Sequence, residues 1–339
     1  MTRAHRARWR IWAAWGFGVV VAVLGALALW RFPWRDLPVS LVQADAGLLL
    51  AALIVNLSSL VAKGWGWQLL MGERARGRWR LAQEANLVGS AVNNLSVSFI
   101  GESARVHYMA RRARLALSYT IASVVWARAA EALALALLLL VCGAFLEVPT
   151  VLRALLIGLG VGVPVLVALA WPRRQSRSVR RFIPHFARST ASALAQIGSL
   201  RRLPAPVLLA LYSWLAEWAT FHLALRAVHA PVTLAASLVA LVSTNLGGAL
   251  RLLPANLGVL QASMAIGLLP FGVPAYRAVA GGIVLQAVQV LPVLALASAL
   301  LGWKGLRRVA GEPLVTIERP TSEPGTGEAR PSEPLRKTS

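Results

Sequence analysis

Arg128 and Glu131 stand three residues apart inside the long apolar run from Ala116 to Phe145, a spacing that sets both on one helix face. Their depth in that run is close to mid-membrane, where a charge costs roughly 2.5–3.5 kcal/mol. Two chemistries account for such a pair. One is a structural ion pair that pins helix packing, with Glu217 as a further partner; the other is a cavity that meets a lipid headgroup. Arg105 is the best phosphate candidate, because it lies one helical turn beyond the Gly101-Glu102 break and helix N-termini favour anions. Asn93 and Asn94, with Ser96 and Ser98, either line the same cavity or satisfy a broken backbone. In the second half of the chain Arg251, which has no adjacent acid, stands with Asn256 and Gln261 in a second polar break. Glu217 and His222 are five apart and only roughly share a face, so the histidine reads as a satisfied polar residue. No Walker loop, HExxH or GxSxG motif is present. No catalytic residue, metal site or cofactor is expected, and the single Cys142 allows no internal disulfide.

These residues need elements that carry them into a membrane. Of the 339 residues, 57% are hydrophobic and 14% charged, whereas soluble domains carry about 25% charged residues. Several runs reach the roughly 20 apolar residues that a spanning helix requires. The net charge of +22 raises the question of nucleic acid, but Arg and Lys cluster in short segments between apolar runs, which is the positive-inside pattern. Nucleic acid is therefore not expected as a partner. Membrane lipids, anionic or phosphate-bearing, are.

In chain order, a basic Met1–Arg10 precedes IWAAWGFGVVVAVLGALALW, read as a retained first span with a cytoplasmic N-terminus in preference to a cleaved signal peptide. A second span runs from Ala46 to Met71, and Lys63 in it is read as snorkelling towards the cytoplasmic interface. Leu81 to Ile100 is only half apolar and lies between two basic clusters, GERARGRWR and Arg105–Arg114. Both flanks then belong on the cytoplasmic side, and the segment is expected to dip in and return as a re-entrant hairpin. Spans from Ala116 to Phe145 and Val151 to Trp171 follow, then a basic cytoplasmic connection over 173–202, either an amphipathic helix on anionic lipid or a solvated linker. The second half holds a span from Pro204 to Val228, a broken stretch from Leu234 to Phe271, and a last span from Arg277 to Trp303 that ends at cytoplasmic Lys304, Arg307 and Arg308. Residues 311–339, rich in Pro, Glu, Ser, Thr and Gly, are expected to be disordered. The expectation is an all-α polytopic membrane protein of about six spanning helices plus two re-entrant hairpins arranged as inverted repeats. One transmembrane domain, 1–310, would hold halves of about 1–172 and 203–310. Eight full crossings are the alternative; reading the second broken stretch alone as one more full crossing would place the C-terminal basic cluster outside.

The motif residues resemble the lysylphosphatidylglycerol synthase transmembrane region, a family of flippase-like membrane proteins. Asn93, Asn94, Gly101, Glu102 and Arg105 match its first motif in spacing; Arg128 and Glu131 match the Arg and acidic residue of the next helix; Pro254, Gly258 and Val259 match its second-half turn, with GVPAYRAVAGG following. The chain departs from the pattern at Val97, Ser98 and Phe99, where Pro-Gly-Arg is usual, at Gln261, where the family has Glu, and at Gln286, where it usually has Arg. The resemblance covers about Ala46 to Trp303 and implies transbilayer movement of a lipid, without the soluble aminoacyl-transferring domain of the full synthases. The expected function is a lipid flippase-like transporter of a bacterial inner membrane, not an enzyme, acting on an aminoacylated phospholipid or a polyprenyl-linked or hopanoid-type lipid. A lipid-carrier glycosyl or other group transferase, needing Glu102 or Glu84 as acid or base, and a non-catalytic subunit beside a lipid-synthesis enzyme are the alternatives; a homo-oligomer is also compatible.

Overall fold

The computed structural model describes residues 30, 32–75, 77–96, 100–170, 203–249 and 256–311. The expected first span, the 173–202 connection, residues 97–99 and 250–255 and the expected tail from 312 lie outside the described residues.

Ten α-helices make up the described chain, and no strand occurs among the described residues: α1 Asp36–Val42, α2 Ala46–Met71, α3 Trp79–Leu95, α4 Ile100–Ala113, α5 Leu117–Phe145, α6 Thr150–Ala170, α7 Pro204–Ala227, α8 Leu234–Gly248, α9 Val259–Leu268 and α10 Ala275–Gly311. Four stretches, Ala46–Ala75, Leu117–Phe145, Pro204–Ala227 and Ala275–Gly302, are long and apolar enough to cross a membrane. The all-α membrane class is therefore as expected. Helix ends are fixed by local chemistry: the Asp45 carboxylate accepts from the N–H groups of Gly47 and Leu48 at the start of α2, and the Thr233 hydroxyl from that of Ala236 at the start of α8. Each satisfies a donor that has no partner within its own helix.

α2 and α7 are antiparallel neighbours. The Asp45 N–H donates to the Ala227 carbonyl at one end, and Gly66 lies against Pro206 at the other. α3 turns back along α2, where Gln83 donates to the Val61 carbonyl and Asn86 to the Leu60 carbonyl. It packs tightly on α4: a Cβ at Gly89 would fall 2.7 Å from Arg105 Cβ, and Gly101 has no room for one against Asn93. Arg78 closes the base of this hairpin by donating to the Ala113 carbonyl. The second hairpin, α8–α9, repeats the device, with Gly247 against Ser263 and Gly267 against Ser243. Its base is closed by Arg277, which donates to the His229 carbonyl at 2.7 Å. Hairpin one hangs from the end of α2 and hairpin two from the end of α7, so the two enter the bundle from opposite ends.

Three side-chain contacts between α2 and α7 carry one signature: Ser58–Tyr212, Ser59–Ser213 and Lys63–Glu217 are each 154 residues apart. Ser59 and Ser213 each donate to the other's carbonyl. In an antiparallel pair a constant separation places each of these contacts across a pseudo-two-fold axis perpendicular to the helices. The same offset carries α3 onto α8 to within one residue at each end. This is the geometry of an inverted repeat.

The buried apolar residues form two clusters. Trp67, Met71, Val88, Met109 and Trp126 gather around hairpin one, and Phe221, Leu225, Leu241, Met264 and Leu285 around hairpin two. Between the halves, α10 contains Pro292, which lacks an N–H and so leaves the carbonyl four residues back without its helical donor. That carbonyl, Val288, accepts from the Asn56 side chain of α2 at 3.3 Å. In hydrocarbon an unmet carbonyl is costly, and Asn56 meets it.

Candidate functional site

The two α5 residues singled out by spacing form the pair expected of them: Arg128 Nη1 lies 2.6 Å from Glu131 Oε2. Arg128 is over half exposed, and its Nη2 also grips Glu102 on α4. Glu102 in turn faces Arg105 one turn on, Oε2 to Nη1 at 3.7 Å. Hairpin one thus brings its Gly-Glu break against the charged turn of α5.

Lys63 overturns the expectation of snorkelling. Instead of reaching for the interface, its ammonium lies 2.9 Å from Glu217 Oε2 on α7, with Glu131 also acting on it. Glu217 therefore completes Lys63 and not the Arg128–Glu131 pair, which takes Glu102 as its additional member. The physical reason is distance: α2 and α7 meet at Ser59–Ser213, which brings the Glu217 carboxylate within 2.9 Å of the Lys63 ammonium. The result is a chain of alternating charge across four helices, running Glu217, Lys63, Glu131, Arg128, Glu102, Arg105.

Arg105 ends this chain in an unusual state. The residue is 4% exposed, its guanidinium stacks on Trp67 at 4.1 Å, and Trp67 is fixed by donating Nε1–H to Ser123. Its Nε and Nη2 are buried without a hydrogen-bond partner. These two atoms form one edge of the guanidinium fork, the edge that grips a carboxylate or phosphate in bidentate fashion. A narrow open recess lies beside the cluster, lined by Lys63 and Glu131 with Ala62, Gly66, Trp67 and Leu70.

The other residues marked by sequence fall elsewhere. Asn93 packs on Gly101, beside Glu102, and Asn94 is half-buried in the last turn of α3. Asn256 donates to the Gly248 carbonyl at 3.4 Å within hairpin two. Gln261 accepts from the Gly258 N–H and donates to Gln286 Oε1, both at 2.8 Å. Arg251 lies outside the described residues, as do Val97, Ser98 and Phe99. His222 contacts the Ser237 hydroxyl, the satisfied polar role expected of it. Among the described residues no three His, Cys, Asp or Glu side chains gather as a metal ion would need. Sequence reasoning missed Lys63 and Trp67. The signal for Lys63 was available, since an acid, Glu217, sits at the corresponding position of the other half.

Long apolar helices, opposed hairpins and a chain of ion pairs among them define a multi-pass α-helical membrane protein with a charged interior site. The family model for the lysylphosphatidylglycerol synthase transmembrane region matches residues 13–297, and the chain belongs to that family. No curated protein matches it. Membership makes this an integral membrane protein of lipid synthesis or transport.

Proposed function

We propose that this protein moves an amphipathic lipid between the leaflets of a bacterial inner membrane, with the headgroup in the charged interior and the chains left in the bilayer. The observation that carries this reading is the open fork of Arg105, a buried cation with two donors unmet at the end of an ion-pair chain. Burying a charged donor without a partner costs about 1–3 kcal/mol or more, a cost explained if the arginine serves a ligand. Arg128, exposed at the cluster edge, is the first cation a headgroup meets, and Glu102 and Glu131 hold it in place. The arginines at the base of hairpin one, Arg74, Arg78, Arg80, Arg111, Arg112 and Arg114, set that end in the cytoplasm by the positive-inside rule. Hairpin two then faces the opposite side, and the two termini are cytoplasmic.

The test is headgroup accessibility in proteoliposomes carrying fluorescent phospholipids. Wild type is expected to expose inner-leaflet label to an external quencher, and Arg128→Ala to slow this about ten-fold or more, the scale of one lost charge-assisted interaction. Equal rates for wild type, Arg128→Ala and protein-free vesicles would sink the reading.

A further inference from the structure

We infer that the interior site takes up one proton, on Glu102 Oε2, with each phosphodiester headgroup it binds, so that headgroup and proton cross together. This rests on the reading of the charged interior as a headgroup site and adds what drives the movement.

The cluster is balanced before any ligand arrives. Glu102, Glu131 and Glu217 alternate with Arg105, Arg128 and Lys63 in ion pairs. A phosphodiester adds one negative charge to this neutral set, inside a bundle where an uncompensated charge is expensive. The donor edge that would receive it, Nε and Nη2 of Arg105, belongs to the guanidinium whose Nη1 faces Glu102. Two anions on one guanidinium are like charges sharing a site, and such a site holds a proton on one of them. The phosphodiester is by far the stronger acid, so the proton falls to Glu102.

Which oxygen takes it follows from what each already accepts. Glu102 Oε1 receives Arg128 Nη2, Glu131 Oε2 receives Arg128 Nη1, and Glu217 Oε2 receives the Lys63 ammonium. Glu102 Oε2 is buried without a hydrogen-bond partner, and Arg105 Nη1 stands off at 3.7 Å. An O–H bond formed there breaks no existing hydrogen bond, and the new hydroxyl donates to a phosphate oxygen on the fork beside it. Neutral Glu102 also loosens its hold on two cations. Arg105 keeps its full charge for the phosphodiester, and Arg128, over half exposed, is freed to meet it. The proton comes from water where the site is open and returns to water on the other side as the headgroup leaves.

The helices packed on α4 bring few other charges to this point. α5 carries Arg128 and Glu131 alone, and Glu131 is shared between Arg128 and Lys63, the single charge of α2. On α3, Glu84 is held by the Tyr108 hydroxyl and Arg80 lies over Trp79, while α10 has no charge between Arg277 and Lys304. On α4 itself His107 stands five residues on, about 140° round the helix.

Two measurements on the full chain test this. In dodecyl maltoside, calorimetric titration with phosphatidylglycerol in buffers of different ionisation heat counts the protons taken up, and about one per bound lipid is expected. Soluble phosphodiesters share the headgroup's chemistry, so glycerophosphoglycerol is titrated in parallel and should bind far more weakly; equal affinity overturns the lipid part. In proteoliposomes, acyl-labelled phosphatidylglycerol should gather in the leaflet facing the higher pH, faster than in protein-free vesicles. For one proton per lipid, mass action sets a limit of about ten-fold between leaflets for a gradient of about one pH unit. Glu102→Gln, which cannot take the proton, should bind lipid without proton uptake and lose the response to the gradient. A wild-type count near zero overturns the inference, as does an uptake or response that survives Glu102→Gln unchanged. Should Glu102→Gln fail to fold, the wild-type count and gradient response decide. Lipid that crosses yet stays evenly distributed under the gradient leaves lipid movement standing and sinks the coupling. Absence of any crossing sinks the transporter reading, and the count still decides whether headgroup and proton bind together.

Discussion

Lys63 and Glu217 show how much a single contact holds at mid-membrane. Their side chains are 31% and 15% exposed, so the pair is withdrawn but not sealed. Breaking a buried pair by removing one partner costs about 3–5 kcal/mol, while replacing both with apolar groups is often neutral. Lys63→Met should therefore lower the melting temperature of the purified protein strongly, and Lys63→Met with Glu217→Leu should recover most of the loss. A double variant no better than the single one would mean that the pair stabilises through something other than its charges. At this scale the sequence was partly legible. Arg128–Glu131 followed from a three-residue spacing on one helix, whereas Arg128–Glu102 and Lys63–Glu217 join different helices, and no local spacing encodes them.

Two devices set the elements. In hairpin one, Gly89 faces Arg105 Cβ and the Gly101 carbonyl with no room for a side chain. Gly89→Val should push α3 from α4 and shift Arg105 off Trp67, seen as altered tryptophan fluorescence and a melting loss of about 1–3 kcal/mol, the usual cost of overpacking. In α10 the Asn56 side chain answers the carbonyl freed by Pro292. Restoring the helical donor with Pro292→Ala should make Asn56→Ala nearly harmless, although Asn56→Ala alone should cost about 1–3 kcal/mol for an unmet buried carbonyl. A double-mutant cycle measures this coupling, and additive losses would refute it. The polar break at Leu81–Ile100 marked hairpin one in the sequence. The Asn56 contact was hidden, because nothing near residue 56 announces a proline 236 positions later.

At the scale of the molecule, contacts at a constant separation of 154 residues place Lys63 and Glu217 at equivalent positions of opposed halves. Exchange across such an axis keeps the Lys–Glu contact but sets a carboxylate at position 63 beside Glu131. The reversed pair, Lys63→Glu with Glu217→Lys, should therefore recover only part of the stability that either reversal alone destroys, as read by the melting temperature, and full recovery would mean that Glu131 does not act on position 63. The opposed hairpins also predict sidedness. In a Cys142→Ser background, a cysteine at exposed Arg80 and one at exposed Pro231 should react with an impermeant thiol reagent from opposite faces of oriented vesicles. Labelling of both from one face would refute the inverted arrangement.

The sequence by itself determined the membrane class, the long apolar helices, the polar break of hairpin one and the family motifs. These are local: hydrophobic run length, charge clusters and residue spacing act within one segment. Even the opposed entry of the hairpins was legible, because the positive-inside rule fixes which flanks share a side. Only the tertiary structure decided which charges meet. Lys63 looked like a side chain bound for the interface and proved to be half of a contact between α2 and α7. Arg105 was marked by its place one turn beyond the Gly101-Glu102 break, but only the packing shows it buried on Trp67 with one edge of its fork unmet. The reason is dielectric. In water each of these charges would be solvated where its own helix puts it, but within a bundle in hydrocarbon each must find an opposite charge on whichever helix packs nearest.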